Sequence, residues 1–178
     1  MNILQERHTI RNYDPNYIIP KEQLEGIIET ARIAPSYMGM QDVNFIVVNN
    51  RKKLQEITDA AATTWDDQTR AHVMSRKQTF NVQNVISCDA SAVVFIVKND
   101  NPSPKVDVDG GIAAMSICVA ATGLGLSTMC MVLPICEPVA KIIGTELNKM
   151  IVCVAIGKAK PDAHITKRSH NNTVHYIE

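Results

Sequence analysis

The sequence predicts an α/β (α+β) domain, a central sheet carrying helices on both faces. Short runs rich in β-branched residues, NFIVVNN (Asn44 to Asn50), SAVVFIVKN (Ser91 to Asn99) and MIVCVAIGKA (Met150 to Ala159), read as buried strands. Stretches of helical period separate them, and that alternation places helices over the faces of a sheet. The chain has 178 residues, enough for one hydrophobic core and short for two. No repeat or linker divides it, so one domain over residues 1–178 is expected.

Taken in order, Asn2 to His8 allows a short first helix, and YDPNYIIP, with its two prolines, must be extended or turning. From Pro20, which suits a first helical position, Leu24, Ile27, Ile28 and Ala31 fall at i, i+3, i+4 and i+7. This apolar stripe closes near Ala34-Pro35 and hands the chain to a loop, PSYMGMQD. After the first strand, a helix from Arg51 to about Thr63 turns Leu54 and Ile57 inward. Trp65 to Ser87 is polar and weakly periodic, which predicts a helix with loops and a candidate lid.

NPSPKVD ends the second strand, and a helix from Val106 to Thr122 follows. It is apolar nearly all round, so burial on every side is expected, inside the domain or in a subunit interface. GLGLSTMCMVLP reads as a Gly-rich turn and a third strand, and Glu137 to Ile143 as a short helix ended by Gly144. The polar tail from Lys160 has little to bury by itself.

Composition narrows the function. Lys plus Arg and Asp plus Glu are both 18, so no global field attracts nucleic acid or an anionic membrane, and any anion must be bound locally. The longest apolar run, Ile112 to Ala121 with Ser116 inside it, is short for a membrane span. MNILQERHT lacks the basic and apolar regions of a secretory leader, so a cytoplasmic chain is expected. The five cysteines, Cys88, Cys118, Cys130, Cys136 and Cys153, form no CxxC pair and mostly sit among apolar neighbours. They read as reduced core thiols in a reducing compartment.

Arg7 and Arg11 stand four apart near one end of the chain and Lys167-Arg168 near the other. Convergent forks of charge-assisted donors are what phosphate recognition needs, although solvated surface pairs have the same spacing. The loop APSYMGMQ offers hydroxyl, amide and thioether groups to a planar heterocycle; Pro35-Ser36 as a simple helix stop accounts for the same residues. GLGLS follows a helix and lacks the GxGxxG spacing, so a Rossmann fingerprint is unsupported. The histidines lack metal-ligand spacing, no GxSxG occurs and no carboxylates pair across a cleft. With no acid, base, nucleophile or metal in view, a reaction here needs a cofactor.

The ordered set RHTIRNY, IAPSYMGMQ, DASAVVFIV, the apolar helix into GLGLS, and VAIGKAKP with a tail ending VHYIE resembles the FMN-dependent nitroreductase family over essentially the whole chain. The resemblance implies a mixed central sheet flanked by helices in an intertwined homodimer that exchanges C-terminal tails. Arg7-His8-Thr9-Ile10-Arg11-Asn12-Tyr13 stands at the family motif R-S-x-R-x-[FY], which implies that Arg7, His8, Thr9 and Arg11 hold FMN, with both arginines at its phosphate. Lys167 and Arg168 match the basic residues that join them from the tail. Pro35, Ser36, Tyr37, Met38 and Gln41 match the loop that borders the flavin across the dimer interface. Gly39 replaces the usual Asn there, and Asp42-Val43 the usual Pro-Trp.

The amide that meets the flavin ring falls on Gln83 or Asn84, and Leu133, Pro134, Ile135 and Cys136 match the segment whose backbone faces flavin N5. Tyr37, Met38, Met40, Trp65 and Phe80 are candidate pocket walls. The implied function is an NAD(P)H oxidoreductase in which the flavin carries the chemistry, with no catalytic side chain. NADH or NADPH and a small-molecule acceptor such as a nitroaromatic or quinone would alternate in ping-pong order. An FMN carrier or redox sensor without turnover, and a flavin-free α/β interaction module, are the alternatives.

Overall fold

The computed structural model describes residues 3–165 and 171–177. Strands β1 (Val43–Val48), β2 (Ala92–Lys98), β3 (Ser127–Met131) and β4 (Met150–Gly157) form one sheet in the order β1-β2-β4-β3. All three strand pairs are antiparallel, and a parallel component enters through the bridge Thr9↔Thr128. Around the sheet lie α1 (Ile3–Glu6), α2 (Lys21–Arg32), α3 (Arg51–Ala62), α4 (Asp67–Met74), α5 (Arg76–Thr79), α6 (Val106–Gly123) and α7 (Glu137–Ile143).

The apolar runs of β2 and β4 follow from their central position, because each face of the sheet is covered. Successive side chains of a strand point to opposite faces. Ala92, Val94 and Ile96 of β2 meet Leu24, Ile27 and Ala31 of α2 and Ala113, Ile117 and Ala121 of α6. Val93, Phe95 and Val97 meet Leu54 and Ile57 of α3 and Val139 and Ala140 of α7, in a cluster that closes over Tyr13. Each fully buried Val, Ile or Phe contributes about 1.5–3 kcal/mol relative to exposure.

Within one protomer α6 is covered along part of its circumference. Val106, Ala113, Ile117 and Ala121 are inside, whereas Val108 and Met115 are exposed in the protomer. Its 18 residues exceed the apolar run counted from Ile112, and by length and composition alone it could cross a membrane. Its packing against α2 and the sheet is that of a core helix. Gly110 lets it approach β4 closely, since a Cβ there would stand 2.8 Å from Ile151 Cδ1.

Trp65 to Ser87 forms two short helices, the first capped by the Asp66 carboxylate accepting from Thr69 N at 2.7 Å. Val73 is the one buried residue between Trp65 and Asn81, and from Val82 onward Val82, Asn84, Val85, Ile86 and Ser87 are buried and belong to the core wall. Tail residues 171–177 have no regular structure and lie exposed.

Candidate functional site

The segment that carries the arginines is pinned from three directions. Arg7 N donates to Ile3 O and closes α1, after which Ile10 N donates to Thr128 O at 3.1 Å. Tyr13 N donates to Cys88 O at 3.2 Å, and Lys160 N donates to Asn12 O at 3.0 Å. Residues 9–13 are thereby laid along the edge of β3 and the end of β4. Ile10 and Asn12 are buried, and His8 and Ile10 share a cavity of about 190 Å³ with Ser127, Lys160 and Ala163. Arg7, Thr9 and Arg11, half-buried, alternate with that set.

Arg7 and Arg11 stand along an extended edge rather than a helical turn, on the same side of the segment as Thr9. Four residues without a helical turn span up to about 13 Å. Their surroundings differ accordingly: Arg7 acts electrostatically on the sulfurs of Cys118 and Cys130, and Arg11 on Cys88 and the Tyr13 hydroxyl. The arginines therefore bracket the segment. Lys167 and Arg168 lie outside the described residues.

A tight turn forms the next wall. Cys88 and Asp89 both adopt left-handed backbone angles, φ 55° and 67°. The Asp89 carboxylate accepts from Gln83 N and Asn84 N. Asn84 Oδ1 accepts from Ile86 N, Ser87 N and the Thr58 hydroxyl, and its Nδ2 donates to Leu54 O and Gln55 Oε1. That amide is fully used inside the protein. Asn84, expected at the flavin ring, thus spends its amide on the protein, whereas its neighbour Gln83 is exposed.

Arg76, which the sequence did not single out, donates from Nη1 to Val85 O at 3.1 Å and stands beside Cys88. Burial pushes the Cys88 thiol up to about 11 in spite of both arginines, so it stays protonated. On the same face of the sheet, Ile135 N donates to Val132 O in a turn into α7, Pro134 is buried, and Ile135 and Cys136 pack against the cluster that holds Ile10 and Tyr13.

The loop from Pro35 to Gln41 lies elsewhere, on the α2 and α6 side. Tyr37 N donates to both oxygens of Asp109, in the first turn of α6, at 3.0 and 3.1 Å. Gln41 N donates to Ser36 Oγ, and Gln41 Nε2 to Ala34 O. Met38, Gly39 and Gln41 have positive φ, so the loop is held in a conformation that only its anchors maintain. Asp42, where the resembled family has proline, is buried and accepts from Ser103 N at 2.6 Å. Tyr37, Met38 and Met40 are left exposed on this anchored turn. Among the described residues no hydrogen bond joins the loop to the arginine segment or to the 83–89 turn.

The sequence pattern of the nitroreductase family matches residues 4–158. The chain belongs to the nitroreductase family. An FMN reductase [NAD(P)H] of Bacillus subtilis is 30% identical over 128 residues, covering 71% of this chain and 51% of that protein. Another Bacillus subtilis relative, YdgI, is 23% identical with coverage of 98% and 95%. Among solved structures, a nitroreductase with bound FMN from Desulfitobacterium hafniense superposes with a TM-score of 0.81 at 22% identity, covering all of both chains. Iodotyrosine deiodinase bound to FMN and 3-iodo-L-tyrosine shares the fold at a TM-score of 0.77 and 17% identity, covering 99% of this chain and 98% of that one.

Proposed function

We propose that this nitroreductase-family chain holds FMN and works as an NAD(P)H-dependent flavin oxidoreductase in a homodimer. The observation that carries the reading is the arginine segment itself: two half-buried cations at its ends, with a hydroxyl and an imidazole between them, along a pinned edge of the sheet. That donor set fits an elongated ligand with a phosphate at one end and a polar heterocycle at the other. Arg7, with His8 and Thr9, takes the phosphate; Lys167 and Arg168 of a tail are its further partners. Arg11 and Gln83 reach the ring edge, and the backbone of Pro134, Ile135 and Cys136 lines its other side. The bound flavin supplies hydride acceptance and release, and the chain's residues bind, orient and cover it.

The dimer is supported by the division of the contact residues between two faces of one protomer. The loop of Pro35, Ser36, Tyr37, Met38 and Gln41 is tied to α6 through Tyr37 N and Asp109 and braced internally by Gln41, on the α2 and α6 side. A second copy brings its Tyr37 and Met38 over the first copy's ring site, and the exposed side of α6 forms part of the seam. One open face then serves NADH or NADPH and a nitroaromatic or quinone acceptor in turn, a ping-pong order. The five unpaired cysteines support a cytoplasmic setting.

The test is optical. Purified protein carries the absorption bands of oxidised flavin, or acquires them with added FMN, and NADH or NADPH bleaches them anaerobically. Protein that stays colourless with FMN overturns the reading. Flavin that binds without being bleached shows a carrier or sensor instead.

A further inference from the structure

Cys118, in the C-terminal half of α6, and Cys130, on β3, hold their sulfurs 3.6 Å apart. This is contact distance for two sulfurs, about 1.5 Å longer than a disulfide bond. Cys130 is exposed, whereas Cys118 is buried. Their neighbourhood favours one thiolate shared by the pair. The hydrogen bond from Cys130 holds the Cys118 thiol down to about 7 against burial, aided by the Thr128 hydroxyl and the charge of Arg7, and the same contact pushes the Cys130 thiol up, so at rest the charge is on Cys118 and the proton on Cys130. Cys88 and Cys153, by contrast, are pushed up by burial.

We propose that Cys118 and Cys130 form a peroxide-reactive dithiol, with Cys130 as the entry point and Cys118 as the resolving thiol that closes an intramolecular disulfide. The Cys118 thiolate takes the proton of Cys130 across the 3.6 Å contact, and the exposed Cys130 thiolate so formed attacks one oxygen of a hydroperoxide. The O–O bond breaks, Cys130 becomes a sulfenic acid and hydroxide leaves when the peroxide is hydrogen peroxide. Cys118 then loses its proton, and its thiolate attacks the Cys130 sulfur and expels a second hydroxide. Two thiols are oxidised, one peroxide is reduced and, with the two thiol protons, two waters form. The link ties β3 to α6 and removes the anionic neighbour of Arg7. None of this rests on FMN.

The experiment uses the reduced, full-length protein without NAD(P)H, treated with a few equivalents of hydrogen peroxide and then alkylated and peptide-mapped without reductant. The expected result is one linked peptide pair containing Cys118 and Cys130, with two of the five thiols lost and recovered by dithiothreitol. In Cys118→Ser the Cys130 sulfenic acid persists and is trapped by dimedone. In Cys130→Ser, peroxide consumption at the pair falls at least tenfold. A wild-type map with no such link, with links to other cysteines, or with Cys130 overoxidised and Cys118 free overturns the proposal.

Discussion

The Asp109 carboxylate accepts the Tyr37 backbone N–H through both of its oxygens, at 3.0 and 3.1 Å. A buried side chain at the start of α6 thereby sets the pose of an exposed turn on the far side of the loop sequence. Asp109→Ala leaves that N–H without its acceptor and is expected to destabilise the fold by about 1–3 kcal/mol. Urea unfolding measures this, and Asp109→Asn, which keeps one acceptor oxygen, should lie between Ala and wild type. Equal stability of all three proteins contradicts the anchoring role.

Asp42 lends the same loop a dependence on pH. Burial pushes its carboxyl up, but the hydroxyl and backbone hydrogen bonds from Ser103 outweigh burial and hold it below the ordinary carboxylate value. A depressed folded value means that the stabilisation is full above the unfolded value of about 4 and is lost as pH falls through the folded one. The stability difference between wild type and Asp42→Asn should therefore be constant from pH 7 to 5 and shrink below pH 4. A difference that stays constant to pH 2 rules this linkage out.

Arg7 and Arg11 are expected to separate two ends of one ligand. Arg7→Ala should weaken FMN binding by about 1.5–3 kcal/mol, roughly 10- to 150-fold, and leave riboflavin, which has no phosphate, nearly unaffected. Arg11→Ala should weaken both ligands. Flavin fluorescence titrations decide it, and identical profiles for the two variants return both arginines to the phosphate.

Adjacent amides should behave oppositely. Asn84→Ala strips the acceptor from Ile86 N and Ser87 N, both buried, while the Thr58 hydroxyl keeps Leu54 O, and should cost about 2 kcal/mol or more in stability. Gln83→Ala, at an exposed side chain, should leave stability within about 0.5 kcal/mol and lower flavin affinity. Thermal unfolding paired with flavin titration separates the two effects.

Gly157→Ala tests a close approach in the core. Its added Cβ would stand 3.0 Å from Tyr13 Cδ1, 3.2 Å from Ser91 N and 3.3 Å from Ala90 Cα, and two of those three atoms are backbone. A cost of about 1–3 kcal/mol is expected in denaturant unfolding. Gly26→Ala, where no atom lies within 4 Å, serves as the permissive control.

The sequence made the central strands and α7 legible because their signals are local. β2 and β4 are continuous apolar runs, and α7 is a short helix stopped by Gly144, whose φ is 74°. Long-range choices were not legible. Whether Arg7 and Arg11 lie a helical turn apart or along an extended edge is decided by Thr128, more than a hundred residues away. Gln83 and Asn84 are alike as amides, and only the turn built on Asp89 decides which one the interior consumes. That Asp42-Val43 replace the usual Pro-Trp is visible in the sequence, whereas the anchoring of Asp42 depends on Ser103, about sixty residues away.

The strand order also bears on how the chain is made. β2 pairs with β1 on one side, but its other edge waits for β4, about sixty residues later in synthesis. At about 5–20 residues per second, the ribosome leaves that strand, apolar up to Lys98, half-paired for roughly 3–12 s. During that interval AVVFIV is an open β-edge, and nascent chains crowded on one message are exposed to pairing with each other. Cellular yield should therefore depend more on holdase chaperones that shield this strand than on the stability of the finished fold.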